Sequence, residues 1–300
     1  AKDGHFGKHG RMQQPLPLPS RLASLAERPF TVAMAQQMGI NQQQLRSAIR
    51  RGQIRNLVRG VYASVHVGDD VELRCAAVKV ALAAQPEALV FGQTAAWLYG
   101  VLPGSPAAGV SWTRSGGGYA PRDVRELFGV KVTTPLRTAI DLADKLPKDH
   151  AVALWDAFFR EHGVTRGQVL SELPRFNRGQ MAATLRSCLV LTDGRSESFA
   201  ESLLRLAWLR GPLPTPTPGL VHRVGQMRIR IALGLAEQEY GVTLSGASQP
   251  AEIAALRGAG WGVVELGARQ VEVAKPETLT RMLVGEYHRT LLARVTRGSA

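Results

Sequence analysis

Between Phe30 and Tyr62 the period of the apolar positions changes from helical to strand-like. Leu45, Ala48 and Ile49 recur at i, i+3 and i+4 and predict an amphipathic helix with those three residues as its inner face. Asn41 is placed to cap that helix and Gly52 to stop it. Thr31 caps a shorter helix before it, which Gly39 ends. Short apolar runs at 53–58 and 61–63 flank Arg59-Gly60 and read as two strands joined by a turn. Ser20 caps an earlier helix whose Leu22, Leu25 and Ala26 complete a three-helix core. Helix, tight turn, helix and hairpin predict a winged helix-turn-helix over residues 20–66.

The pattern continues differently on either side. Residues 1–19, with Pro15, Pro17 and Pro19, read as a disordered arm; its first part reads as an expression scar ahead of Met12, a candidate start. Residues 71–84 predict an apolar helix, 88–91 a strand and 93–99 a helix. Residues 100–118 are loop-rich. The Gly116-Gly117-Gly118 run lacks the following Lys-Ser/Thr of a phosphate loop and reads as a turn. A strand at 128–132 precedes the amphipathic segment PLRTAIDLADKL, opened by Thr134 or Thr138. A helix at 151–162 breaks at Gly163-Val164-Thr165, Thr165 caps the next, and 175–191 is basic and helical. Short strands among helices make 67–191 a mixed α/β domain. In 192–300 the expected order is one helix at 193–209, a linker marked by Pro212, Pro214, Pro216 and Pro218, and strands at 223–234 and 241–244. A helix at 250–259, a strand at 261–266 and a final helix or helix pair at 276–294 complete it. The fold class is therefore α+β or α/β and multidomain, a winged helix-turn-helix followed by a larger mixed body.

Charge changes the picture most in the first segment. The 300 residues are 45% hydrophobic, as in an ordinary globular protein, and carry a net charge of +13. The first 62 residues hold ten Lys and Arg against only Asp3 and Glu27. From Glu27 to Asp69 there is no acidic residue, while Arg28, Arg46, Arg50, Arg51, Arg55 and Arg59 all fall there. A merely solvated helix face mixes charge signs; a one-sign stretch is the electrostatic footprint of nucleic-acid binding. On the helix after Asn41 the residues turned from the core are Gln43, Arg46, Ser47 and Arg50, with Gln42 and Arg51 at the flanks. Gln and Arg there can reach base edges in a major groove. Arg51, Arg55 and Arg59 are placed to hold phosphates from the helix end and the wing.

Little else in the chain proposes chemistry. Cys75 and Cys188 lack zinc-ligand spacing and read as reduced core thiols of a cytoplasmic protein. No uncharged apolar run reaches the length of a membrane span, and no signal peptide is visible. Asp141 and Asp144 share a helix face at i, i+3, but read as surface carboxylates near Arg137 and Lys148. Trp97, Trp112, Trp155, Trp208 and Trp261 are dispersed, as core residues are.

Three segments in this order, LVRGVY, FGQTAAWLYGV and VTTPLRTAIDLA, resemble the AbiEi-family antitoxins, including the MenA-like ones, of bacterial type IV toxin–antitoxin systems. The resemblance covers residues 20–145. It implies an amino-terminal winged helix that represses its own operon and a carboxy-terminal region that opposes a nucleotidyltransferase-like toxin. The last third resembles the small endonuclease-like domain related to very-short-patch repair nucleases, through SESFAESLLR, RIALGLAEQEYGVTLSG and ALRGAGWGVVEL. Working members carry a helix glutamate, R-x-D-L-G on one strand and V-E-x-D-G on the next. The glutamate matches Glu201, but the strand carboxylates fall on Ala232, Thr243 and Ser245. Glu201 then reads as a solvent-facing helix residue, and the resemblance implies a scaffold without its metal-binding acids.

The expectation is a sequence-specific DNA-binding regulator, an autoregulatory antitoxin, with no catalytic residues, no metal and no cofactor. Its partners are operator duplex, a cognate toxin and a second copy of the chain, and no membrane. The alternatives are a Mg²⁺-dependent endonuclease targeted by the winged segment, and an antitoxin whose basic stretch meets an acidic protein.

Overall fold

The computed structural model describes residues 20–102, 104, 106, 109–114, 117–176, 180–246 and 249–298. The expected arm at 1–19 and Gly116 of the glycine run lie outside them. The first unit runs α1 (Ser20–Ala26), β1 (Phe30–Thr31), α2 (Val32–Gln37), α3 (Gln42–Arg50), β2 (Ile54–Val58) and β3 (Val61–Ser64). The strands form an antiparallel sheet in the order β1-β3-β2. Local chemistry sets these boundaries. The Thr31 hydroxyl accepts from the Met34 N–H at 3.2 Å. Asn41 Oδ1 accepts from the Gln44 N–H, and Gln44 Oε1 accepts from the Asn41 N–H, both at 2.9 Å, a reciprocal capping box. Gly52, at φ +64°, takes the left-handed turn that lets the chain leave α3 for β2.

Leu22, Ala26, Phe30, Ala35, Ile40, Leu45, Ala48 and Ile54 form the core of this unit. Ile49 is not in it: 40% of its surface is exposed, against the expectation of an inward face. At 100° per residue Ala48 and Ile49 lie on opposite flanks of Leu45, and the core covers only the Ala48 flank. The hairpin is shared between two cores, because Leu57, Val58, Val61 and Ala63 join the core of the middle region.

The middle region comprises α4 (Val71–Ala81), β4 (Ala88–Val90), α5 (Gly92–Leu98), β5 (Trp112–Arg114), β6 (Val124–Leu127), β7 (Val130–Thr133), α6 (Pro135–Leu142), α7 (Lys148–His162), α8 (Arg166–Glu172) and α9 (Met181–Leu191). Its sheet has the order β5-β4-β7-β6, parallel only between β4 and β7. The one strand expected at 128–132 is a hairpin instead. Phe128 at φ +46° and Gly129 at φ +75° make its turn, as a tight hairpin requires. Charged Arg125 and Glu126 hide the first strand from a hydrophobic pattern. Thr134, not Thr138, opens α6, and Thr165 caps α8 as expected.

The last region comprises α10 (Phe199–Arg210), β8 (Thr217–Val224), β9 (Met227–Leu235), β10 (Tyr240–Leu244), α11 (Pro250–Gly258), β11 (Gly262–Leu266), α12 (Ala268–Val273) and α13 (Pro276–Gly298). The sheet order is β11-β10-β9-β8, with β10 and β11 parallel across the α11 crossover. Three expectations change here. The helix begins at Phe199 rather than residue 193, because the Ser198 hydroxyl accepts from the Glu201 N–H and caps it there. The strand expected at 223–234 is two strands turning at Gly225-Gln226. The linker is shorter, since β8 contains Pro218, which an edge strand tolerates. Trp97, Trp155, Trp208 and Trp261 are buried, and Trp112 is half-buried. The α+β multidomain class stands. No helix among the described residues is long and apolar enough to cross a membrane.

Candidate nucleic-acid interface

The α3 surface follows from its two buried residues. With Leu45 and Ala48 turned inward, Gln42, Gln43, Arg46, Arg50 and Arg51 are exposed and Ser47 is half-buried. Gln44 is spent on the capping box. Exposed Ile49 adds an apolar contact to the same surface, of the sort a thymine methyl accepts. The helix therefore presents two amide side chains and two guanidinium groups, with a third at its carboxy end.

The hairpin divides its two arginines. Arg59 is exposed in the turn before Gly60, and its stem lies beside Gly109. Arg55, expected to hold phosphate, is half-buried and turned back: its Nη2 donates to the Val67 carbonyl at 2.8 Å. Its position on β2, paired with Ala63, faces it to the chain leaving β3, so its guanidinium is engaged inside the protein. The first acids beyond the basic stretch are also engaged. Asp69 accepts from Arg74 at 2.8 and 3.0 Å, and that hydrogen bonding holds its carboxyl below the ordinary range. Asp70 Oδ1 caps α4 by accepting from the Leu73 N–H at 2.8 Å.

The region around Glu201 is arranged otherwise than its sequence implies. Glu201 is not solvent-facing; it is 3% exposed. Its Oε1 and Oε2 accept from Arg230 Nη1 and Nη2 at 2.8 and 2.7 Å, and Oε2 also accepts from the Glu197 N–H at 2.8 Å. A divalent cation needs several oxygen ligands. Here a guanidinium occupies both carboxylate oxygens, and Ala232, itself buried, offers none. Thr243 is buried with only a hydroxyl, and Ser245 is exposed. These residues do not fit a divalent metal. Among the described residues no group of three or more His, Cys, Asp or Glu could hold one.

Two further charge clusters lie outside residues 20–66. Asp156, fully buried, accepts from Arg205 Nη2 at 2.9 Å and from the Asp193 N–H at 2.7 Å, which locks α7 to α10. Asp123 accepts from Arg175 at 2.8 and 2.6 Å and from Arg137 at 3.2 Å. The Arg137 guanidinium lies 4.5 Å over Tyr119 and 5.2 Å from the Phe176 ring, while its Nε donates to Asp141 at 2.8 Å. Asp141 is thus not a surface carboxylate; burial pushes its pKa up, and it pairs with Arg137. Asp144 pairs with Lys145 rather than Lys148. Burial also lifts the Tyr119 hydroxyl to about 12 and the Cys75 thiol to about 11, so Cys75 is an unreactive core thiol. Cys188 is likewise free and buried.

No family model matches the chain, and no solved structure matches it. Two uncharacterized proteins of Mycobacterium tuberculosis, from strains CDC 1551 / Oshkosh and H37Rv, are each 34% identical to it over 95 residues. Those residues are 31% of this chain and 34% of each relative, so the chain spans about a third of the length of the curated relatives it matches.

Proposed function

We propose that the chain is a sequence-specific DNA-binding transcriptional regulator that reads a major groove with α3. The observation that carries this reading is the exposed Gln42, Gln43, Arg46, Arg50 and Arg51 surface within a stretch free of acid. Beside it stands a hairpin that offers Arg59 as a wing contact. Gln43, Arg46, Ser47 and Arg50 read bases, and Arg51 and Arg59 hold phosphates. The resemblance of residues 20–145 to AbiEi-family antitoxins extends the proposal: the chain represses its own operon and counteracts a nucleotidyltransferase-like toxin. The endonuclease alternative is set aside, because the Arg230 guanidinium occupies the carboxylate that such chemistry would need.

The test is a titration of the whole chain with duplex from upstream of its own gene and with random duplex, over a range of salt. The expected result is tighter binding of the upstream duplex and a steep linear fall of log affinity with log salt. Equal, weak and salt-insensitive binding of both duplexes refutes the regulator. Co-expression with the product of the neighbouring gene tests the antitoxin part; growth arrest by that product must be relieved by this chain.

A further inference from the structure

A second acid-free stretch lies far from α3. From residue 202 to residue 236 there is no Asp or Glu, while Arg205, Arg210, Arg223, Arg228 and Arg230 fall there. Three of these are consumed by acids elsewhere in the fold: Arg205 by Asp156, Arg210 by Asp149, and Arg230 by Glu197 and Glu201. Arg223 and Arg228 are not. Both are exposed, they stand directly opposite each other across β8 and β9, and neither forms an ion pair among the described residues. Like charges directly opposed on neighbouring strands destabilise a hairpin. The pair therefore costs the free protein stability.

The surroundings define the surface these two share. Strand β10 pairs with β9 only across Leu233, Gly234 and Leu235, so the distal part of β8 and β9 is a two-stranded ribbon. One ribbon face packs inward, with Ile229 and Ile231 against Leu256 and Trp261, and the His222 ring 4.6 Å from the Trp261 ring. Strand alternation puts Arg223 and Arg228 on the other face with Val221 and Arg230. The acids near Arg230 are already paired: Glu197 and Glu201 with Arg230 itself, and Asp193 with Arg195. Charges on an edge strand can serve to block pairing with other chains. That accounts for a positive charge on each open edge of the ribbon, Arg223 on β8 and Arg228 on β9 beyond the reach of β10, but not for setting the two directly opposite each other, where they repel.

We propose that the β8–β9 ribbon is a second contact surface for double-stranded DNA, in which Arg223 and Arg228 hold backbone phosphates. A polyanion relieves the repulsion between the two guanidinium groups and needs no apolar core on this face. The inference rests on the DNA-binding reading only in assigning the same class of ligand to a separate surface.

The experiment measures the salt dependence of random-duplex binding by the whole chain. It compares the unmodified protein with Arg223→Gln/Arg228→Gln, Arg223→Lys/Arg228→Lys and Arg51→Gln/Arg59→Gln, each checked for an unchanged circular dichroism spectrum. Removing both ribbon charges flattens the slope of log affinity against log salt by about two units, and the lysine pair restores it. An unchanged slope in the glutamine pair overturns the ribbon proposal, including when the pair instead weakens an acidic protein partner. If the ribbon pair flattens the slope and Arg51→Gln/Arg59→Gln does not, the ribbon stands and the phosphate contacts proposed for the α3 end and the wing fall. No duplex binding by the unmodified chain at low salt overturns both.

Discussion

Helices α3 and α10 begin alike and end differently. Each is opened by a side-chain cap, from Asn41 in one and Ser198 in the other, and each carries arginines along its length. On α3 the arginines are exposed. On α10, Arg205 is 4% exposed and paired with Asp156, and Arg210 pairs with Asp149. Neither acid is near α10 in sequence; both are on α7. An arginine-bearing helix thus becomes a structural lock or an exposed cationic surface according to which acids the tertiary fold brings to it. Counting charge within a window separates the two only when, as around α3, no acid is supplied from elsewhere.

The contrast is broken most sharply by removing one arginine from each helix. Arg205→Ala leaves the Asp156 carboxylate buried and without its cation. Breaking such a pair costs about 3–5 kcal/mol. Arg46→Ala removes an exposed side chain and changes stability by no more than about 0.5 kcal/mol. It weakens binding of the preferred duplex by about 1–3 kcal/mol and random duplex less. Urea unfolding and duplex titration of both variants check the pair of outcomes. A stable Arg205→Ala protein, or an Arg46→Ala protein equally weakened on all duplexes, contradicts the assignment.

That division also explains what could be read in advance. The caps at Thr31, Asn41 and Thr165 and the exposed polar side of α3 come from residues within four positions of one another, so pattern and propensity reveal them, but not the exposure of Ile49, which depends on which flank of Leu45 the core covers. The inward turn of Arg55 depends on a carbonyl twelve positions away, and the burial of Glu201 on an arginine twenty-nine away. Sequence spacing carries no information on such meetings. The β6–β7 hairpin was hidden for another reason: an edge strand with Arg125 and Glu126 turned outward has no apolar alternation to detect. Of the expected interface residues, Ser47 and Arg55 are half-buried, and Arg55 spends its guanidinium on the Val67 carbonyl.

Two buried carboxylates sharpen the comparison on the pH axis, because their shifts have opposite signs. Hydrogen bonding from Arg175 holds the Asp123 carboxyl below its ordinary value. Its contribution is present above the unfolded pKa of about 4 and is lost as pH falls through the lower folded value. Burial pushes the Asp156 carboxyl up, against the pull of Arg205. Its contribution is present below the unfolded value and declines as pH rises through the folded one. Asp123→Asn therefore costs about 1.5–3 kcal/mol at neutral pH, the scale of hydrogen bonds to a charged group. The gap to the unmodified protein closes in acid. Unfolding curves between neutral pH and acid conditions test this; a gap that widens on acidification contradicts the Arg175 assignment.

The finest form of the comparison lies within one hairpin. Arg55 and Arg59 sit four residues apart in the same basic stretch, yet only Arg59 is exposed. A phosphate contact releases about one counterion, so losing it flattens the log-affinity against log-salt slope by about one unit. Arg59→Ala should show that flattening on every duplex and unfold at the same urea concentration as the unmodified chain. Arg55→Ala should keep the slope and unfold earlier, since it leaves the Val67 carbonyl without its donor; a lost hydrogen bond of this kind costs about 1 kcal/mol. The two measurements are independent, so each residue is tested against both roles. If Arg55→Ala flattens the slope as much as Arg59→Ala does, its side chain leaves the Val67 carbonyl when duplex binds, and the wing reaches DNA through both arginines.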